Sequence, residues 1–139
     1  MQHKSLIALL GAMIIAVAIA GSALAAGPGP AVHVQIKTMK KTVRQVVVHG
    51  ERGWITKGRA PRGKCPGNSA AGALTAATHG KWTGKYYASL HDIFITSILG
   101  IRPKGSQYWA LYVNGKLSST GACHVHLRRG ERLMFKVTK

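Results

Sequence analysis

Tyr108-Trp109-Ala110-Leu111-Tyr112-Val113-Asn114-Gly115 opens the stretch that decides the fold, and Leu133-Met134-Phe135-Lys136-Val137 closes it. The first six residues include the strong β-formers Tyr108, Trp109, Tyr112 and Val113. Asn114-Gly115 supplies the positive φ angles of a tight hairpin turn. Between the two runs, Cys123, Val125 and Leu127 alternate with His124 and His126, which predicts a further strand over Ala122–Leu127. This is the pattern of a sheet that carries a cysteine, not of a catalytic site.

Working outward, Asn68 or Ser69 is a good N-cap for a short helix from about Ala70 to Thr78. Leu74 is its main apolar anchor, and Gly80 suits its end. Near the start, Val32, Val34 and Ile36 alternate with His33, Gln35 and Lys37, giving a first strand with one buried face. Thr38 to Lys41 reads as a basic turn and Val43 to His49 as a second strand. Glu51 to Lys64 reads as a loop, pinned to the core by Trp54-Ile55. Tyr86 to Leu90 and Ile93 to Ile98 read as two short extended segments. One short helix against a small, mostly antiparallel sheet is an α+β layer arrangement.

Four segments in this order and spacing carry a resemblance. They are Cys65-Pro66-Gly67-Asn68 running on to Leu74, Ala77 to Gly84 with its Gly80-Lys81-Trp82, Phe94 to Gly100, and Tyr108 to Val137. Together they resemble the transcobalamin-like C-terminal domain, over about Val32 to Val137. The resemblance implies a β-grasp-like topology, a disulfide, and a binding role without catalysis. In the vertebrate carriers the equivalent small domain packs over one face of the corrin. Two features depart from the family. Glu131 follows Gly130 where Gly-Asp is usual, and the large helical domain that makes most of the cobalamin site has no counterpart, so no cofactor is expected.

The 139 residues suffice for one domain. Met1 to Lys4 is a short positive segment, Leu6 to Ala20 is apolar, and Ala23-Leu24-Ala25 is a small-x-small cleavage signal. The expected organisation is a signal peptide over 1–25, a Gly-Pro linker over 26–31 and the domain over 32–139. The product would be secreted or held at the outer face of the cell envelope. The alternative is an N-terminal membrane anchor, since the run from Leu6 to Ala26 is just long enough to span a bilayer.

Lysine and arginine number 20 against three acids, Glu51, Asp92 and Glu131, for a net charge of +17. Loss of Lys4 with the signal leaves +16. Such a field attracts polyanions and says nothing of the fold. The bland alternative is a solvated surface that keeps copies apart. The densest basic segments are Lys37, Lys40, Lys41 and Arg44, then Arg59, Arg62 and Lys64. They are the expected polyanion-binding residues, since phosphate contacts need only positive charge and donors. No base-reading motif is present. The expected partners are anionic envelope polymers or an anionic lipid surface, with extracellular DNA bound without sequence preference, by a monomer.

Cys65 and Cys123 are an even count in an exported chain. With the family position, this implies a disulfide between them, worth about 4 kcal/mol in the chain-entropy model. His124 and His126 would share one face of a strand and could start a metal site, but a third ligand would have to come from elsewhere. Asp92 follows His91, yet no serine lies in a nucleophile-elbow motif and three acids hardly provide a carboxylate pair. Enzymatic activity is therefore not expected. Trp82, Trp109 and Tyr112 could stack on a flat ligand such as a corrinoid, or could simply fill the core. Their exposure discriminates the two.

Overall fold

The structure, a computed structural model, describes residues 29–57 and 63–139. The expected signal peptide, most of the linker, and Arg59 and Arg62 lie outside the described residues. In chain order the elements are β1 (Ala31–Lys37), β2 (Thr42–His49), β3 (Trp54–Lys57), β4 (Gly63–Pro66), α1 (Ala70–Thr78), β5 (Trp82–Tyr87), β6 (Asp92–Ile98), β7 (Tyr108–Val113), β8 (Lys116–Leu117) and β9 (Arg132–Thr138).

The main sheet has the order β2-β1-β9-β7-β8. Its strands β1 and β9 run parallel, while every other pair is antiparallel. The Thr38 hydroxyl organises the β1–β2 turn by accepting the backbone N–H of Lys40 and Lys41. At Asn114 and Gly115, φ values of 49° and 84° make the expected two-residue turn between β7 and β8. The period of two then sorts side chains by face. Val32, Val34 and Ile36 share the inner face with Leu133, Phe135 and Val137, and with Trp109 and Leu111 of β7. Phe135, Ile36, Leu133, Val32 and Val34 are fully buried there. Each such side chain contributes roughly 1.5–3 kcal/mol.

Helix α1 covers this inner face and supplies Leu74 and a run of buried alanines to the core. Its small side chains let its backbone come close to its neighbours. A Cβ on Gly72 would stand 1.8 Å from the Gly67 carbonyl oxygen. Ser69 is the N-cap, and its hydroxyl accepts from the Gly72 N–H. His79 ends the helix in the left-handed region, and the Gly80 N–H returns to the Thr75 carbonyl.

The structure corrects four expectations. Ala122–Leu127 is not a strand, although its residues do alternate in burial. Its carbonyls serve the helix instead: Ala70 N–H donates to Val125 O at 2.9 Å and Ala71 N–H to Ala122 O at 3.0 Å. These are orphan donors of a helix start, and the segment satisfies them. The Glu51–Lys64 loop contains a hairpin, β3 against β4, which forms a sheet of its own. Of the pair meant to pin it, Ile55 is buried but Trp54 is 66% exposed. Finally, the extended segment placed at Tyr86–Leu90 begins earlier, at Trp82, and turns after Tyr87 to make the separate β5–β6 hairpin.

Candidate binding surfaces

Trp82, Trp109 and Tyr112, the residues that could stack on a flat ligand, are not brought together. Trp82 is 3% exposed, and its indole N–H donates to the Thr75 hydroxyl at 2.9 Å. Trp109 is 6% exposed and donates to the Ile101 carbonyl at 3.3 Å. Tyr112 pairs with Met134 and lies on the opposite face of the main sheet from Trp109. Both tryptophans are core residues, with their polar edges satisfied inside the fold.

The basic residues are divided among surfaces. Lys37 stands on the face of the main sheet that points away from α1, and Lys40 and Lys41 lie in the turn at its end. Arg44 pairs with Ile36 and so belongs to the helix side. Lys64 is exposed on β4, in a different sheet. The open face also carries Lys136 beside Lys37, and Arg132 opposite His33, neither of them among the expected residues. Their signal was in the sequence: once Leu133, Phe135 and Val137 are inward, Arg132 and Lys136 must be outward. Gln35 and Gln45 hydrogen-bond across the strands, and Tyr108 and Tyr112 complete the surface along β7.

None of the strand residues on this face is an acid. The Glu131 carboxylate accepts the Arg128 N–H, and the Asp92 carboxylate accepts those of Ile93 and Cys123. The positive field there is not opposed by any acid on these strands.

A second surface is an apolar groove between the β5–β6 hairpin and the edge of β7–β8. One part, about 430 Å³, is walled by Tyr87, Leu90 and Phe94. A second, about 320 Å³, runs between Phe94, Tyr108 and Leu117 over a floor that includes Trp109. Ile93, Phe94 and Gly121 line both parts, so the two adjoin. Tyr87, Leu90, Phe94, Tyr108 and Leu117 account for most of the large apolar side chains exposed among the described residues. β6 pairs with β5 only, and β8 covers β7 only at Tyr112 and Val113, so strand pairing leaves the groove open. The sequence hid this site, because Leu90, Phe94 and Leu117 sit in segments whose alternation reads as ordinary core.

The histidine pair has no group of further ligands around it among the described residues. The His124 ring nitrogen Nε2 lies 3.0 Å from the Leu90 carbonyl, and no cluster of three His, Cys, Asp or Glu is found among the described residues. Cys65 and Cys123 are disulfide-bonded, with Cα atoms 4.9 Å apart. The bond joins β4 to the segment that holds the helix start, and it is consistent with an extracellular location. Lys57 closes the other end of the helix. Its ammonium donates to the Gly80 and Trp82 carbonyls at 2.6 and 2.9 Å and stands 4.9 Å from the Trp82 ring centre. Burial pulls its pKa below the ordinary 10.5. No helix among the described residues is long and apolar enough to cross a membrane.

Solved structures share this fold, two of them as follows. A protein from Ruminococcus gnavus ATCC 29149, provisionally described as metal binding, matches 79% of this chain and 97% of its own at 14% identity, with a TM-score of 0.55. Haptocorrin, solved in complex with Cbi, matches 79% of this chain at 17% identity and the same TM-score of 0.55. The match spans 25% of the haptocorrin chain. At these identities the likeness is one of fold. No curated protein matches the chain. The family described as Domain of unknown function (DUF4430) matches residues 67–139, the Gly67-to-Lys139 portion that contains α1, the groove and strands β7, β8 and β9 of the main sheet, and the chain belongs to that family.

Proposed function

We propose that this chain is an exported, monomeric, non-enzymatic binding domain of the transcobalamin C-terminal type, and that it associates with anionic polymers of the cell envelope. The observation that carries the reading is the acid-free open face of the main sheet, with Lys37, Lys136 and Arg132 on it and Lys40 and Lys41 at its end. Extracellular DNA offers the same phosphate chemistry. The fold likeness to a domain of haptocorrin supports a binding role. The parallel pair β1·β9, flanked by β2 on one side and β7–β8 on the other, supports a β-grasp-like arrangement. A corrinoid or other flat ligand is the rival, and the burial of Trp82 and Trp109 weighs against it.

The test is co-sedimentation of the exported protein with a teichoic-type polymer, with cobalamin as a second arm, at low and high salt. Polymer binding at low salt should fall steeply as salt rises, because each neutralised phosphate releases counterions. Absence of polymer binding at low salt would discard the reading. Cobalamin binding that ignores salt would favour the rival.

A further inference from the structure

We infer that the groove between β6 and the β7–β8 edge binds the acyl chain of an anionic lipid. The inference narrows the envelope reading to one constituent and rests on that reading for the source of the ligand, but it stands on a different surface. The groove's two parts, about 430 and 320 Å³, fall within the roughly 300–1,000 Å³ of small-ligand sites. Its rim is formed by apolar side chains that face solvent, and its floor by Ile93, Ile95 and Trp109. Such a concentration of exposed apolar surface marks a site of contact.

The charges select the occupant. The Lys85 ammonium stands 5.0 Å from the centre of the Tyr87 ring, at one end of the groove. Asp92 is the one acid in the lining, and both Ile93 and Cys123 donate their N–H groups to its carboxylate. Gly121 packs directly against that carboxylate, with no room for a Cβ. An apolar trough with a cation at one end suits an alkyl chain bearing a phosphate or carboxylate head. A second copy of the exported chain would bring its own strong positive charge and be repelled.

The exported protein is titrated with straight-chain alkyl phosphates of increasing length, below their micelle concentrations, and with glycerol phosphate as the chainless head. Heat of binding and the fluorescence of Trp109 are the readouts. Affinity should climb about fourfold for each methylene buried, until the groove is filled. Phe94→Ser and Leu117→Ser should each weaken the long-chain ligand at least tenfold. Phe94 is 50% and Leu117 59% exposed, so both variants should keep the far-ultraviolet spectrum of the wild type. Trp54→Ser, at an exposed apolar residue outside the groove, should leave the affinity unchanged. Affinity independent of chain length, or equal binding by the Phe94→Ser and Leu117→Ser variants and the wild type, would overturn the inference. So would a concentration-dependent dimer that Phe94→Ser dissolves. Wild type that sediments with a chainless polymer yet takes up no alkyl phosphate would sink the groove and leave the envelope reading standing.

Discussion

The Asp92 carboxylate accepts the backbone N–H of Cys123 at 3.2 Å and that of Ile93 at 2.8 Å. One of the chain's three acids thus ties the β5–β6 hairpin to the disulfide segment, which in turn holds the start of α1. The residue with the best credentials for acid–base chemistry is a strut.

Replacing Asp92 by Ala should therefore destabilise the fold by about 1–3 kcal/mol, the cost of leaving part-buried amides unpaired. Gly121→Ala should destabilise it too, because the new Cβ would stand 1.7 Å from an Asp92 carboxylate oxygen. The two effects should not add. With Asp92 gone the methyl group has space, so the double variant should be more stable than the sum of the two single effects implies. Urea denaturation of all four proteins checks this, and strict additivity would discard the contact as the cause.

Cys123→Ser should cost about 2–5 kcal/mol, since the bond closes a long loop. The separation of 58 residues is within the range where chain entropy matters. Its location adds a local signature. The Ala70 and Ala71 amides, bonded to Val125 and Ala122, should show a larger acceleration of hydrogen exchange in the variant than the Phe135 amide does. A uniform acceleration across all three would show instead that only global stability had changed.

Local chemistry made much of the fold legible. Ser69, the Ala70–Thr78 run and Gly80 delimit a helix by cap, propensity and stop, and the Asn114-Gly115 pair fixes a hairpin by its φ requirement. What stayed hidden depends on distant partners. Ala122–Leu127 alternates like a strand, yet its hydrogen-bonding groups are claimed by α1, and no local pattern announces that. Trp54 and Trp109 look alike in sequence, but one sits on a two-stranded hairpin in solvent and the other under a five-stranded sheet. For the sites, Lys37, Lys40 and Lys41 were readable as a dense run. Their neighbour Lys136 needed the parallel pairing of β1 with β9, and the separation of Lys64 needed the hairpin of β3 and β4.

Lys57 gives a pH signature. Burial lowers its folded pKa from 10.5, while the unfolded chain titrates at the ordinary value. Between the two, the unfolded state binds more protons, so the desolvation cost carried in full at neutral pH is relieved as pH rises through that window. The stability of wild type minus that of Lys57→Met should therefore increase with pH up to 10.5. The subtraction removes the other lysines and tyrosines that titrate there. A difference that stays flat or falls would mean that the two carbonyls and the Trp82 ring outweigh desolvation.

The charge separates two patches that a linear reading joins. If the open sheet face carries polyanion binding, Lys37→Gln with Lys136→Gln should weaken it at low salt and flatten the dependence of log K on log salt. Each phosphate that is no longer neutralised takes about 0.9 off that slope on duplex DNA. Arg59, Arg62 and Lys64 provide the contrast, because Lys64 belongs to the separate β3–β4 sheet. Their triple replacement by glutamine should keep the fold and reduce binding less than the Lys37/Lys136 pair does, although it removes more charge. The comparison decides between position and quantity. Total charge acting alone predicts that the triple variant suffers more, and that outcome, measured by salt titration on the same polymer, would overturn the assignment to the open face.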